Sequence, residues 1–543
     1  MRRTLPLILF FALTCPRFAL ATATFADAVT NGIVDIPKLM EASGIAASRV
    51  NPGVLWTEND AGNAAVVYAI DSQGRNLGTY ALPDNIDNED IGVGPGPVAN
   101  VSYLYVTDIG DNNSDRTNIA LYQAPEPAVY FWQTNNPLSK SEMSGMRVIT
   151  LTYPDGAHDA EAEFLDPVTG DWFVLTKAKT SRIYTAPKAS LDTSTNILLT
   201  LVGTLAFDKP SGADISPSGN EILVRQENFA QLFTRANGQS ISNAFDGTPI
   251  GIPVVGTADG EPNGEAIGFD YYGGGYFTLS DSESAGVQPL YYFARTSLDG
   301  PTPPRVLIPQ AAVWKFLDNG SDQGTAWRAA DFDDSSWSSG AALLGYGGDV
   351  DQTTVSYGSS KKNKHLTTYF RKTFAATNVN HMANLNLKLV AADGANVFLN
   401  GALIESVNLN SNATYLTTAT ATATDLRDAW QSFAIDPKWL REGTNTLAVE
   451  VHLAVATNAV MSFDLQLLAT DAPVINSVSP APNAAVLSLT GSGNSPTTIQ
   501  ATTNFSNWIN LGNVLLTNGS GIFTDPQAGN FPFRFYRAYR ALP

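Results

Sequence analysis

The sequence predicts an all-β chain: a five- or six-bladed β-propeller, then a jelly-roll β-sandwich, then a small fibronectin/Ig-like sandwich. Two observations carry this. Thr, Val, Tyr and Phe recur in short runs bounded by Gly, Asn, Asp and Pro, while helical periodicity is scarce. A phrase made of an acid, one or two small residues and an apolar strand also returns five times. It reads Glu41-Ala42-Ser43-Gly44-Ile45, Glu89-Asp90-Ile91-Gly92-Val93, Glu161-Ala162-Glu163-Phe164-Leu165, Ala213-Asp214-Ile215-Ser216-Pro217 and Glu265-Ala266-Ile267-Gly268-Phe269. Self-similarity at a period of roughly 50 residues marks a propeller, one copy for each four-stranded blade.

The chain's 543 residues exceed what one core serves, and it divides into 1–23 (signal peptide), 24–300 (propeller), 301–470 (jelly roll) and 471–543 (terminal sandwich). Met1-Arg2-Arg3, the apolar run 5–13 and the small residues Ala19-Leu20-Ala21-Thr22-Ala23 fit a cleavable secretory signal. The product is therefore expected to be secreted or held in the cell envelope. The only cysteine, Cys15, falls inside the signal, which leaves the mature chain without disulfides or thiolate ligands. A formal charge of −19 argues against nucleic acid or an anionic membrane surface as partner and is compatible with divalent cations. No later stretch reaches the ~18 apolar residues of a membrane span.

In the propeller region, 32–36 reads as an isolated strand that completes the last blade and removes an open edge. The first repeat divides into strands at 43–47, 53–57, 66–70 and 77–82, and the third at 161–165, 172–176, 182–186 and 198–207. The longer interval between Glu89 and Glu161 holds a loop around 125–146. First strands of blades line a central channel, so the leading acids converge on one mouth. Like charges held that close raise one another's pKa unless a cation or donors neutralise them, and Ca²⁺ takes 6–8 oxygen ligands. Glu41, Glu89, Asp90, Glu161, Asp214 and Glu265 are the candidate Ca²⁺ ligands. Their registers disagree: aligned on the following isoleucines, Asp214 matches Asp90, while Glu89 matches Glu265. Second strands end on further polar groups, among them Asp60, Asp108, Asp111, Lys177, Arg225 and Asp281. The alternative is that these groups satisfy turns and pair with one another.

The phrases Thr57-Glu58-Asn59-Asp60-Ala61-Gly62, Asp108-Ile109-Gly110-Asp111-Asn112 and His158-Asp159-Ala160-Glu161-Ala162 resemble the signatures of a family of secreted bacterial propellers with no firmly assigned reaction. More distantly, the layout is similar to calcium-dependent propeller hydrolases such as lactonases and phytases, a resemblance that implies a metal at this mouth. His158 and Asp159, beside Glu161, are the candidate catalytic pair, with His158 as proton shuttle.

After Pro301-Thr302-Pro303-Pro304 the composition changes. Phe332-Asp333-Asp334-Ser335-Ser336-Trp337, Ala392-Asp393-Gly394-Ala395-Asn396-Val397 and Gly443-Thr444-Asn445-Thr446-Leu447 resemble the galactose-binding-like jelly roll. Trp337 and Tyr346, with Trp314 and Tyr357, are the aromatic candidates for a glycan platform; core packing is the alternative. Gln500-Ala501-Thr502-Thr503-Asn504-Phe505-Ser506-Asn507-Trp508 resembles fibronectin-type terminal modules. No Gly-x-Ser-x-Gly elbow, zinc helix, phosphate loop or dinucleotide fingerprint occurs. The expected function is a secreted binding or surface-associated protein, the propeller recognising a ligand and the jelly roll giving glycan or structural contacts to a cell-surface component. The alternative is a Ca²⁺-dependent hydrolase of a phosphoester or lactone acting through metal-bound water.

Overall fold

A computed structural model describes residues 23–236, 238–281, 287–297, 303–491, 496–516 and 520–539. The expected signal segment lies outside them up to residue 22. The chain is all-β, with 51% of residues in strands and 6% in helices, and among the described residues no sheet closes into a barrel.

Five sheets account for the first 300 residues, and each begins with an acid-led strand: Ala42–Ala47, Asn88–Pro95, Ala160–Leu165, Gly212–Ile215 and Asn263–Phe269. Short polar turns reverse the chain between strands, and alternate side chains meet those of the neighbouring sheet. The five inner strands lie side by side, and the last packs against the first, so they surround one axis. Val29–Asp35 pairs antiparallel with Val287–Ala294 on the outside of the fifth sheet. The segment expected as a loop at 125–146 contains a short 3-10 helix, Phe131–Asn135, and a strand, Leu138–Glu142. That strand leaves the second sheet and pairs parallel to Asn76–Ala81 in the first, covering an edge that would otherwise be open.

The region from Arg305 to Asp471 forms two six-stranded sheets that face each other across an apolar core containing Trp314, Phe370, Leu387 and Phe463. Phe370 and Phe463 stack with ring centroids 4.0 Å apart. Two three-stranded sheets follow around Leu487, Leu489 and Ile499.

The two larger regions meet through an apolar contact of Val50, Ala128 and Tyr130 with Leu343, Val390 and Trp430. Asn51 organises it: its Oδ1 accepts from Trp430 Nε1 at 3.1 Å and from Val129 N at 2.9 Å, and its Nδ2 donates to Pro127 O at 2.9 Å. Backbone bridges join Val101 to Gln431 and Pro127 to Ala429. The contact lies where the inner strands end. Lys388 reaches across it, donating to Tyr271 Oη at 2.6 Å and to the carbonyls of Arg49 and Val50 at 3.3 and 3.4 Å. Burial pushes the Lys388 ammonium down to about 8. Arg49 continues inward, donating to Ile215 O at 3.3 Å with Asp214 Oδ1 3.9 Å away.

Candidate functional site

The opposite end of the axis, where the inner strands begin, collects carboxylates. The cause is local. In three sheets the pairing of first and second strands slips at the acid: between Asn88 and Asp90, between Ala160 and Ala162, and between Gly264 and Ala266. Glu89, Glu161 and Glu265 are thus the extra residues of β-bulges, and a bulge re-aims its side chain. The fourth strand, Gly212–Ile215, pairs without a slip.

This divides the six sequence candidates into tiers. Glu89, Glu161 and Glu265 form the mouth. Asp90 and Asp214 lie deeper in regular register and tie inner strands together. Asp90 Oδ2 accepts from Glu163 N at 2.9 Å and Ala213 N at 3.2 Å, and Asp214 Oδ2 accepts from Phe269 N at 2.7 Å. Those bonds occupy them, which corrects their assignment as cation ligands. Glu41 stays at the rim, where the Asn63 amide donates to it.

Two acids that the repeat did not mark complete the mouth. One carboxylate oxygen from each of Asp60, Asp87 and Glu89 lies within 4.8 Å of the other two. Asp60 follows the strand Val54–Asn59, and Asp87 precedes Asn88–Pro95. Ser43 Oγ donates to Glu89 Oε2 at 3.3 Å. Gly110, the centre of the Asp-Ile-Gly-Asp-Asn phrase, leaves the space these groups fill: a Cβ there would collide with Glu89 Oε1 and Asp87 Oδ2. The two aspartates of that phrase shape the loop. Asp108 takes Arg116 Nη2 at 2.6 Å, and Asp111 accepts from the amides of Asp115 and Arg116.

Electrostatics at the mouth are strained. Burial, then the Asp60 and Asp87 charges, hold Glu89 well above the usual carboxylate range. Burial, then Asp281 and Asp60, push Glu265 up to about 8; burial, then Asp60, push Asp87 to about 6. Lys177 pairs with Glu161 through Oε1, while among the described residues Glu161 Oε2 has no hydrogen-bond partner although the residue is 4% exposed. Glu265 Oε2 has none either. Carboxylate oxygens in surplus, partly unpaired, are hard donors of the kind a divalent cation takes.

The other candidates take other roles. His158 makes its contacts elsewhere: its Nε2 lies 3.1 Å from Asp155 Oδ1 and 2.9 Å from Tyr184 Oη, and its ring meets Tyr153 edge-on. Asp159 Oδ1 accepts from Asp111 N at 2.9 Å and so fixes the loop. Trp337 and Tyr346 are 6% and 7% exposed. Trp337 packs with Phe332 and Tyr369, and Tyr346 with Tyr357 and the Lys364 ammonium, which corrects their reading as an open platform. Asp87 escaped the sequence reading; the acid-rich run Asp84-Asn85-Ile86-Asp87-Asn88-Glu89 was its signal.

Neither family models nor curated proteins match the chain. Among solved structures it is similar to a β-glucuronidase of Bacteroides uniformis (19% identity, 40% of this chain and 26% of that one, TM-score 0.23). It is also similar to β-glucuronidases of Lactobacillus rhamnosus (13%, 42% and 40%, 0.21) and Ruminococcus gnavus (10%, 45% and 46%, 0.21). The match spans under half of each enzyme, and likeness at this level carries no argument about activity.

Proposed function

We propose that the protein is a secreted, calcium-dependent binding protein: a five-bladed propeller over 24–300 with a cation at its acidic mouth. A jelly roll over 301–470 braces the far end, and a small fibronectin-type module over 471–543 follows. One observation carries the reading: one carboxylate oxygen from each of Asp60, Asp87 and Glu89 converges within 4.8 Å, in a space that Gly110 leaves to them. These groups would hold the ion, which when bound supplies charge neutralisation and a point of attachment for ligand oxygens. The ring of inner strands, the strand Val29–Asp35 that closes it and the apolar run 5–13 support the rest.

Calcium titration calorimetry and melting of the mature chain test it, with Glu89→Gln, Asp87→Asn and, as control, Asp214→Asn. Calcium at a hundred times its dissociation constant adds about 2.7 kcal/mol to the wild type. The two mouth variants lose that gain and Asp214→Asn keeps it. Equal responses in all four chains, or none in the wild type, overturn the proposal.

A further inference from the structure

The mouth already contains a positive charge. Lys177 follows the strand Trp172–Thr176, and its backbone N–H donates to Asp159 O at 2.8 Å, so the base of the side chain is fixed. Its ammonium binds Glu161 Oε1, and its charge favours the ionised forms of Asp60, Glu89 and Glu265 alike. The Lys177 side chain is 30% exposed while that of Glu161 is 6% exposed, so the flexible ammonium has a route to solvent and the carboxylate has none. Glu161 is also only half used, since Oε2 accepts nothing.

We propose that Lys177 is a tethered cation that reserves the mouth for divalent ions. The inference rests on the calcium reading above and assigns its selectivity. A sodium ion entering the mouth replaces one unit of charge by another. The carboxylates gain nothing, and the sodium ion gives up its hydration. A divalent ion held by Asp60, Asp87 and Glu89 brings one charge more, so the ammonium is driven outward on its four-carbon stem and rehydrated, and the Glu161 carboxylate it leaves faces the incoming charge instead. Lys177 therefore lowers calcium affinity as a competitor and excludes monovalent ions more strongly still.

The test is calcium titration calorimetry on the mature wild type, Lys177→Met, Lys177→Gln and Lys177→Arg, each in sodium chloride and in choline chloride at equal ionic strength. In choline, Met and Gln at this position tighten calcium binding about tenfold, a change of about 1.4 kcal/mol. Replacing choline by sodium weakens binding in those two variants and leaves the wild type and Lys177→Arg unchanged. Wild-type binding with no tightening in either neutral variant, or neutral variants indifferent to sodium, overturns the tethered-cation role alone. Absence of calcium binding in every chain overturns the calcium reading and this inference together.

Discussion

At the end of the axis against the second region, buried cations meet oxygens: Lys388 has three within hydrogen-bond reach, and Arg49 has the carbonyls of Ala47 and Ile215, with Asp214 nearby. At the other end, carboxylates crowd one another and leave oxygens of Glu161 and Glu265 without partners. Both ends belong to the same strands, so strand chemistry does not separate them. The closed end sets buried cations against oxygens of the chain itself, while the open end sets carboxylates against one another. Crowding of like charge therefore marks the working end better than residue type does.

Four changes break or sharpen that contrast. Trp430→Ala empties the contact at the closed end and costs about 3–5 kcal/mol in urea unfolding. Calcium affinity should be unchanged; a parallel loss would show that the ends are not independent. Gly110→Ala puts a methyl group where Glu89 and Asp87 need room and abolishes the calcium-dependent gain of about 2.7 kcal/mol, read as a flat melting temperature across a calcium series. A retained shift would remove Gly110 from the site.

The third concerns pH at the closed end. Burial raises Asp464 to about 7 against the amides of Ala311 and Leu465 that favour its ionised form. The folded state therefore keeps a proton that the unfolded chain has released, and this contribution to stability, full below about pH 4, fades as pH rises through 7. Lys388 acts in the opposite sense: its folded value of about 8 lies below the unfolded one, so its contribution improves as pH rises from about 8 towards 10. Asp464→Asn should remove the loss of stability between about pH 4 and 7, and an unchanged profile would assign that loss elsewhere. Smallest is His158→Ala, outside both ends, with a stability change within about 0.5 kcal/mol and calcium affinity preserved. A tenfold weaker affinity would return His158 to the mouth.

The acid-led repeats and the early strand that pairs with the fifth sheet were legible because both are written as strand patterns with turns. The tiers of the axis were not. A slip of one residue sends a side chain to the other face, and nothing in Asn88-Glu89-Asp90 announces that Glu89 is the extra residue while Asp90 keeps register. That is why aligned sequences of the repeats disagreed where the structure has bulges. Trp337 and Tyr346 were ambiguous for another reason: an aromatic ring suits a core and a sugar face equally, and only their neighbours decide. The strand Leu138–Glu142 was hidden by its destination, since it pairs with a sheet its sequence neighbours do not belong to.

The pairing of Val29–Asp35 with Val287–Ala294 sets the order of events during synthesis. The first strand to emerge has no partner until the last of the five sheets exists, so the ring stays open while most of it is being made, and closure is a single late event of very long range in sequence. An arrested chain ending before residue 287 would leave Val29–Asp35 and Gly275–Asp281 without the strand that joins them, which makes completion of synthesis a quality check that the topology itself performs.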